Sequence, residues 1–258
     1  MTNLGLPLEY RILPQFFDAW NVSESTAFTN SIIEKLLRQS NVESVLDMTC
    51  GTGSQVFYLK ERGYNVVGSD FSPELLIIAR DKAKKLSYDL KFIDGDMRDL
   101  KVGKFDSVIT IFNAVGHVTS SDFAKTMKNI NCNLKLGALY IFDIFNLQAM
   151  TDSVIYDFAY QIKKEVDNMH LLHNQCSTLD RENALLVSYD QYMVQKQGDI
   201  PTLYENKFSL QVYRYDQLDT MLANAGFKVI SVSDVNGKTF IPDKSKTILI
   251  AAEKISEI

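Results

Sequence analysis

The chain is poor in cysteine, in long apolar runs and in positive charge, and each shortage removes a class of protein. Three cysteines, Cys50, Cys132 and Cys176, lie far apart and are odd in number, so neither a disulfide framework nor zinc-ligand spacing follows from them. No stretch approaches the roughly 20 apolar residues of a membrane span. The opening Met1-Thr2-Asn3-Leu4-Gly5-Leu6-Pro7 has no basic region leading into a long apolar segment, so no secretory signal is visible. With 27 Lys and Arg against 32 Asp and Glu, the formal net charge is −5, and the basic face that a phosphate backbone requires is not expected. The expectation is a cytoplasmic protein in a reducing setting, with no metal, no membrane and no nucleic acid as partner. The chain also lacks internal repeats and low-complexity tracts.

What is present is enough for a packed core. With 46% hydrophobic and 23% charged residues over 258 positions, the composition is that of a globular protein, large enough for one α/β domain with a small appendage. Hydrophobic periodicity alternates between two and three-to-four. Residues 26–39 read as an amphipathic helix, with Phe28, Ile32, Ile33, Leu36 and Leu37 on one face. Strands are expected at 44–48, 65–69, 90–93, 105–112 and 138–145, separated by helices at 54–62, 73–86 and 121–135. Such alternation implies a doubly wound, mostly parallel sheet.

Within that frame, Val45-Leu46-Asp47-Met48-Thr49-Cys50-Gly51-Thr52-Gly53-Ser54 is an apolar strand feeding a glycine turn, and Val66-Val67-Gly68-Ser69-Asp70 is a second strand ending in a carboxylate. Gly51 and Gly53 tolerate positive φ and let a ligand approach the backbone. An acidic residue about 20 positions on is where a ribose diol is held in such sheets. A dinucleotide fingerprint needs a third small residue, yet Val56 stands there. Asp47, four residues before Gly51, suits an ammonium better than a pyrophosphate.

Asp47 to Gly53 resembles the first motif of class I S-adenosylmethionine-dependent methyltransferases. The resemblance continues through Asp94-Gly95-Asp96-Met97, Phe105 to Phe112 and Asn113-Ala114-Val115-Gly116-His117. It implies a seven-stranded Rossmann-like sheet and S-adenosyl-L-methionine as cofactor, with S-adenosyl-L-homocysteine as product. The cofactor residues it implies are Asp47, Thr49, Cys50, Gly51, Gly53, Asp70, Phe71, Asp96, Met97, Phe112 and Asn113. Asp96 would accept from the adenine amine and Met97 would pack on the ring. Cys50 is read as a small buried filler, since no basic neighbour in sequence would activate it.

After Asn146 the pattern changes. Val154–Val166, Met169–Leu179, Ala184–Gln195 and Leu203–Tyr213 read as strands of an antiparallel meander, so residues 147–214 form an insertion, with 1–146 and 215–258 as the core. Tyr156, Phe158, Tyr160, Tyr189, Tyr192, Tyr204, Phe208 and Tyr213 make it aromatic, as a lid over a small polar acceptor would be, or as a cover for a sheet edge. Arg214–Phe227 reads as a late helix, followed by an antiparallel hairpin of Lys228–Val235 and Thr247–Glu253. This layout is similar to glycine N-methyltransferase-like and amino-sugar N,N-dimethyltransferase enzymes, which implies methyl transfer to a small-molecule acceptor, an amine first, by in-line displacement.

Tyr10-Arg11-Ile12-Leu13-Pro14-Gln15-Phe16-Phe17-Asp18 resembles the leading helix of those relatives, with Phe17 in place of a second tyrosine. Tyr10 and His117 are the candidates for a catalytic role. His117 has an unperturbed pKa near neutrality and would serve as base if the acceptor arrives protonated, or it is a hydrogen-bonded loop residue. Tyr10 would touch the methionine end or the acceptor, or belong to a plain packing helix. A nicotinamide-dependent oxidoreductase and a catalytically silent binding protein remain the alternatives, and the sequence leaves room for a homodimer.

Overall fold

The computed structural model describes residues 4–258, the Trp20 side chain excepted. After two 3-10 turns at Leu8–Tyr10 and Pro14–Phe16, the elements are α1 (Phe17–Asn21), α2 (Glu24–Gln39), β1 (Ser44–Asp47), α3 (Ser54–Lys60), β2 (Asn65–Asp70), α4 (Pro73–Lys85) and β3 (Lys91–Asp94). They continue as β4 (Phe105–Thr110), α5 (Ser120–Asn133), β5 (Leu134–Phe145), α6 (Asp152–Tyr156), β6 (Tyr160–Val166), β7 (Met169–Asp180), β8 (Leu185–Lys196), β9 (Thr202–Gln211), α7 (Tyr215–Asn224), β10 (Phe227–Ser233) and β11 (Thr247–Lys254).

One sheet of seven strands has the order β10-β11-β5-β4-β1-β2-β3. β1 pairs in parallel with β2 and β4, and β11 runs antiparallel to both β5 and β10. The strand order reverses between β1 and β4, and the carboxyl ends of strands at such a point form the ligand crevice of doubly wound sheets. Period-two alternation sends Tyr140, Phe142 and Ile144 of β5 to one face, against Phe123 and Met127 of α5 and Leu218 of α7. Leu139 and Ile141 go to the other, against Ile33 of α2, Val56 of α3 and Leu76 of α4. Each face is thus a dry helix–sheet layer. Val56, the residue that spoils a dinucleotide fingerprint, is fully buried in the second one.

β6-β7-β8-β9 form a separate antiparallel sheet. Its side chains close two smaller cores, one with Met150 and Ile155, the other with Leu13 and Phe16 of the leading segment. Leu4 and Leu6 lie along β9, where their carbonyls accept from Ser209 N at 2.6 Å and Asn206 Nδ2 at 3.0 Å.

Four local expectations are corrected. The leading helix is two 3-10 turns and a five-residue α1, because Pro14 interrupts the run. Val154–Tyr156 is helical, since the Thr151 side chain caps α6 by accepting from Val154 N at 3.3 Å. β4 stops at Thr110 because Phe112 and Asn113 both adopt positive φ, at 62° and 56°. β5 begins at Leu134, directly from α5.

Candidate functional site

β1 ends in Asp47, and the chain then turns back through Thr49–Gly53. Gly51 has φ of +52°, and a Cβ there would stand 3.1 Å from the Phe17 ring, so only glycine lets α1 lie over the turn. Gly53, with φ of +90°, starts α3. The Asp70 carboxylate at the end of β2 accepts from Gly51 N at 2.8 Å and from Ser72 N at 2.9 Å, tying the two strand-end loops together. Burial pushes its carboxyl up to about 6, against the pull of those N–H groups. Asp47 is 1% exposed and accepts from Thr49 N at 3.2 Å. Burial, with Asp70 nearby, pushes it up to about 8.

These residues wall a cavity of about 450 Å³, within the range of small-molecule sites. Of the sequence candidates, Tyr10, Asp47, Thr49, Cys50, Gly51, Asp70, Phe71, Asp96, Met97, Phe112 and His117 line it together; Gly53 shapes the turn from behind and Asn113 lines an adjoining cavity instead. Cys50 is buried, with its thiol pushed well above the ordinary range by burial, and its sulfur would be 2.9 Å from any Cβ on Gly68. That is the geometry of a filler. Phe71 stacks on Tyr10 at 5.7 Å between centroids.

Asp96 faces the cavity already engaged. Arg98 Nε donates to its two oxygens at 2.9 and 3.0 Å, and Arg98 Nη1 reaches Asp122 at 3.0 Å. Partial burial raises the Asp96 carboxyl, but Arg98 outweighs it and leaves it below its ordinary value. Asn129 Nδ2 fixes the loop by donating to the carbonyls of Met97 at 3.0 Å and Leu100 at 2.8 Å.

Two further wall residues carry buried polar atoms with no hydrogen-bond partner: Thr49 Oγ1, and both side-chain heteroatoms of Gln55. Unsatisfied buried polar atoms are costly, and atoms of this kind at a cavity wall fit a polar ligand. Gln55 carries no motif in the sequence, where the informative neighbour is Val56. Its signal is an amide in the first turn after the glycines, on the side of the helix that packs inward.

Beyond β4 the chain crosses the crevice through the left-handed pair Phe112–Asn113, a conformation strained for the bulky Phe112 and tolerated by asparagine. Asp143 near the end of β5 holds it by accepting from Asn113 N at 3.1 Å, and Asn113 Oδ1 accepts from Phe145 N at 2.9 Å. Burial pushes Asp143 up to about 7. The turn leads to His117, whose Nε2 is 3.4 Å from Tyr10 Oη and whose Nδ1 is buried without a hydrogen-bond partner. Burial lowers the His117 ring to about 4. The near-neutral pKa on which its role as a base was expected to rest is therefore absent, and the ring is neutral at physiological pH.

A second cavity, of about 260 Å³, opens on the other side of Tyr10, Phe112 and His117, which belong to both walls. Phe158, Tyr160, Tyr192 and Phe208 of the inserted segment line it. Tyr156 and Tyr189 are instead 80% and 43% exposed, Tyr204 packs with Leu13 and Phe16, and Tyr213 is buried against Phe123. Among the described residues no group of three or more His, Cys, Asp or Glu is placed to hold a metal, and no helix is long and apolar enough to cross a membrane.

Residues 45–137, which contain the glycine turn, Asp70, Asp96 and His117, match a family model described as a methyltransferase domain. The chain is 24% identical over 217 residues to YqeM of Bacillus subtilis, a protein that carries a provisional methyltransferase name, covering 83% of this chain and 85% of YqeM. Its fold is similar to that of an S-adenosylmethionine-dependent methyltransferase from Clostridium acetobutylicum, with TM-score 0.75 and 17% identity over 93% of this chain and 96% of the other. It is also similar to CalS10 of Micromonospora echinaspora, an amino pentose methyltransferase solved with S-adenosylmethionine bound, at TM-score 0.69 and 15% identity over 90% and 92% of the two chains. A strand-end acid, a glycine turn and a second strand-end acid around one crevice, on this sheet and among these relatives, make the chain a class I S-adenosylmethionine-dependent methyltransferase, with S-adenosyl-L-methionine as its cofactor.

Proposed function

We propose that the enzyme methylates a small-molecule amine by in-line displacement, the cofactor lying in the larger cavity and the acceptor in the smaller one beneath the inserted sheet. The observation that carries this reading is the shared wall: two cavities meet at Tyr10, Phe112 and His117, one bounded by the glycine turn and the other by aromatic side chains of the insertion. S-adenosyl-L-methionine, when bound, supplies a methyl group on a positively charged sulfur.

The chain's own residues would do the rest. Asp47 is the counterion for the ammonium end of the cofactor, Asp70 accepts from the ribose diol, and Asp96 with Met97 faces the adenine. Thr49, Cys50, Gly51, Phe71 and Phe112 supply the close walls, Gly53 and Asn113 supply the turn geometry, and Gln55 adds an amide. His117, neutral at physiological pH because burial lowers it to about 4, accepts an N–H from a neutral amine and turns its lone pair toward the larger cavity. Tyr10 completes that pair of contacts. Holding the reactants in register and excluding water accounts for most of the acceleration in such a transfer. The acidic composition and the smallness of the acceptor cavity support a free metabolite over a nucleic acid, in a cytoplasmic setting.

The test is direct: incubate the purified protein with S-adenosyl-L-methionine and a panel of small amines, phenols and carboxylates, and follow S-adenosyl-L-homocysteine and methylated product by mass spectrometry. Product confined to amines supports the reading. Methylation of phenols or carboxylates alone removes the amine assignment.

A further inference from the structure

The smaller cavity has a chemical bias of its own. Lys and Arg are absent from its wall among the described residues. The one carboxylate that lines it is Glu9, 5% exposed, which accepts from Tyr192 Oη at 3.1 Å. The His173 ring also lines the cavity, stacked on Tyr192 at 4.0 Å between centroids, and its Nε2 meets Asp190 Oδ1 at 3.0 Å. Asp190 is buried, and its Oδ2 has no hydrogen-bond partner. Two buried acids, Glu9 and Asp190, thus flank one imidazole, and acids outnumber Lys and Arg among the described residues around this cavity.

A ligand anion placed there would meet no Lys or Arg among the described wall residues and would lie beside an acid in a low-dielectric pocket, a costly arrangement. A hydrogen-bond donor or a cation would satisfy Glu9 and lie among aromatic faces that favour positive charge. Glu9 also shares a 3-10 turn with Tyr10, so the group that would read one end of a ligand is rigidly joined to the group that contacts the other.

We propose that this cavity selects an acceptor bearing a second, hydrogen-bond-donating group, an ammonium or a hydroxyl lodged against Glu9, so that small diamines and amino alcohols enter and amines bearing carboxylate or phosphate do not. The inference rests on the acceptor reading of the cavity given above and narrows it to a substrate class. A volume of about 260 Å³ limits the acceptor to a short chain or a single ring. A donor lodged against Glu9 supplies a partner to a side chain that burial has removed from water, which makes the selection stronger than a surface contact of the same type.

Matched probes test it on the wild-type protein saturated with S-adenosyl-L-homocysteine: 1,3-diaminopropane and 3-aminopropan-1-ol against β-alanine, and ethanolamine against phosphoethanolamine, each by calorimetric titration. The donor-bearing member of each pair should bind at least about tenfold more tightly, the scale of one charge-assisted hydrogen bond. Glu9→Gln should weaken diamine binding by about tenfold while S-adenosyl-L-homocysteine affinity stays within about twofold, as expected for a contact outside the larger cavity. Equal binding within the pairs, binding by no donor-bearing probe, or an unchanged diamine affinity in a folded Glu9→Gln protein overturns the proposal. Methyl transfer is read separately by mass spectrometry. Diamines that bind without being methylated count against the acceptor reading and leave the selectivity standing, whereas β-alanine methylated as well as 3-aminopropan-1-ol removes the selectivity and leaves the methyltransferase reading intact.

Discussion

Asparagine at position 47 will stabilise the ligand-free fold while weakening the cofactor site. Asp47 is 1% exposed, and burial pushes its carboxyl from 3.8 to about 8. Across that interval, pH 3.8 to about 8, the folded protein holds a proton that the unfolded chain has released. Stability from this group is therefore full below the lower value and is lost as pH rises through the window. At about 1.4 kcal/mol per unit, the group costs up to about 5 kcal/mol at pH 7.5. If relaxation and water entry leave a third of that, removing the buried carboxyl adds about 1.7 kcal/mol and raises the melting midpoint by about 3–7 °C in a chain of this size. Asparagine keeps an oxygen for the Thr49 N–H, so the turn itself survives. Binding moves the other way. The ammonium of S-adenosyl-L-homocysteine restores the charge on Asp47, so at pH 7 the wild-type protein releases about one proton on binding, the variant releases none, and affinity falls at least about tenfold. Calorimetric titration in two buffers of different ionisation enthalpy counts that proton. A variant that melts no higher than wild type, or that binds with the same affinity and proton release, refutes the reasoning.

Asp70→Ala should raise the dissociation constant for S-adenosyl-L-homocysteine by at least about tenfold, because the ribose contact and the tie between Gly51 N and Ser72 N go together; an unchanged calorimetric affinity counts against the ribose role. His117→Ala should lower turnover without weakening cofactor binding, and the reverse pattern would remove His117 from the acceptor side. Since burial holds the ring near 4, the ring proton resonances of His117 should show no titration between pH 6 and 8, and a midpoint near 6.5 would mean that the ring is solvated. Gly51→Val, placing a branched Cβ at φ of +52° and 3.1 Å from Phe17, should cost at least about 1 kcal/mol and abolish detectable S-adenosyl-L-homocysteine binding, whereas tight binding would show that the turn tolerates bulk.

The core was legible because its signals are local. Val45 and Leu46 alternate between the two helix layers, and Ser72-Pro73 marks the start of α4 through a side chain that accepts from Leu75 N at 3.2 Å. The Asp47–Gly53 turn and Asp70 were legible because the spacing of strand, glycine and acid is itself the geometry. Tertiary contacts hid the rest. The expected strand end at Phe112 yields to a left-handed pair that Asp143, thirty positions on, stabilises from another strand. Helix α6 interrupts an expected strand because one threonine caps it. Which insertion aromatics face the cavity depends on register, and Tyr189 and Tyr192, three apart on β8, fall on opposite sides of the sheet. Glu9, an ordinary acid in a leading segment, gave no sequence signal: its environment is made by Tyr192, 183 positions later.

The burden this fold carries is concentrated in one place. Asp47, Asp70 and Asp143 stand at or near the carboxyl ends of β1, β2 and β5, are each under 5% exposed, and are pushed up to about 8, 6 and 7. Apolar side chains of the same sheet pack against both helix layers. A sheet selected for stability alone would have no reason to bury three carboxylates at its strand ends, since each disfavours the folded state at neutral pH. Asp70 and Asp143 hold loops by accepting backbone N–H groups at Gly51, Ser72 and Asn113, whereas Asp47 accepts from Thr49 N alone, has no cationic partner among the described residues, and keeps its proton near neutrality. The site is thus incomplete as an electrostatic object until a positive ligand arrives. That incompleteness, at the point where the strand order reverses, makes ligand binding and fold stability two readings of the same buried carboxyl groups.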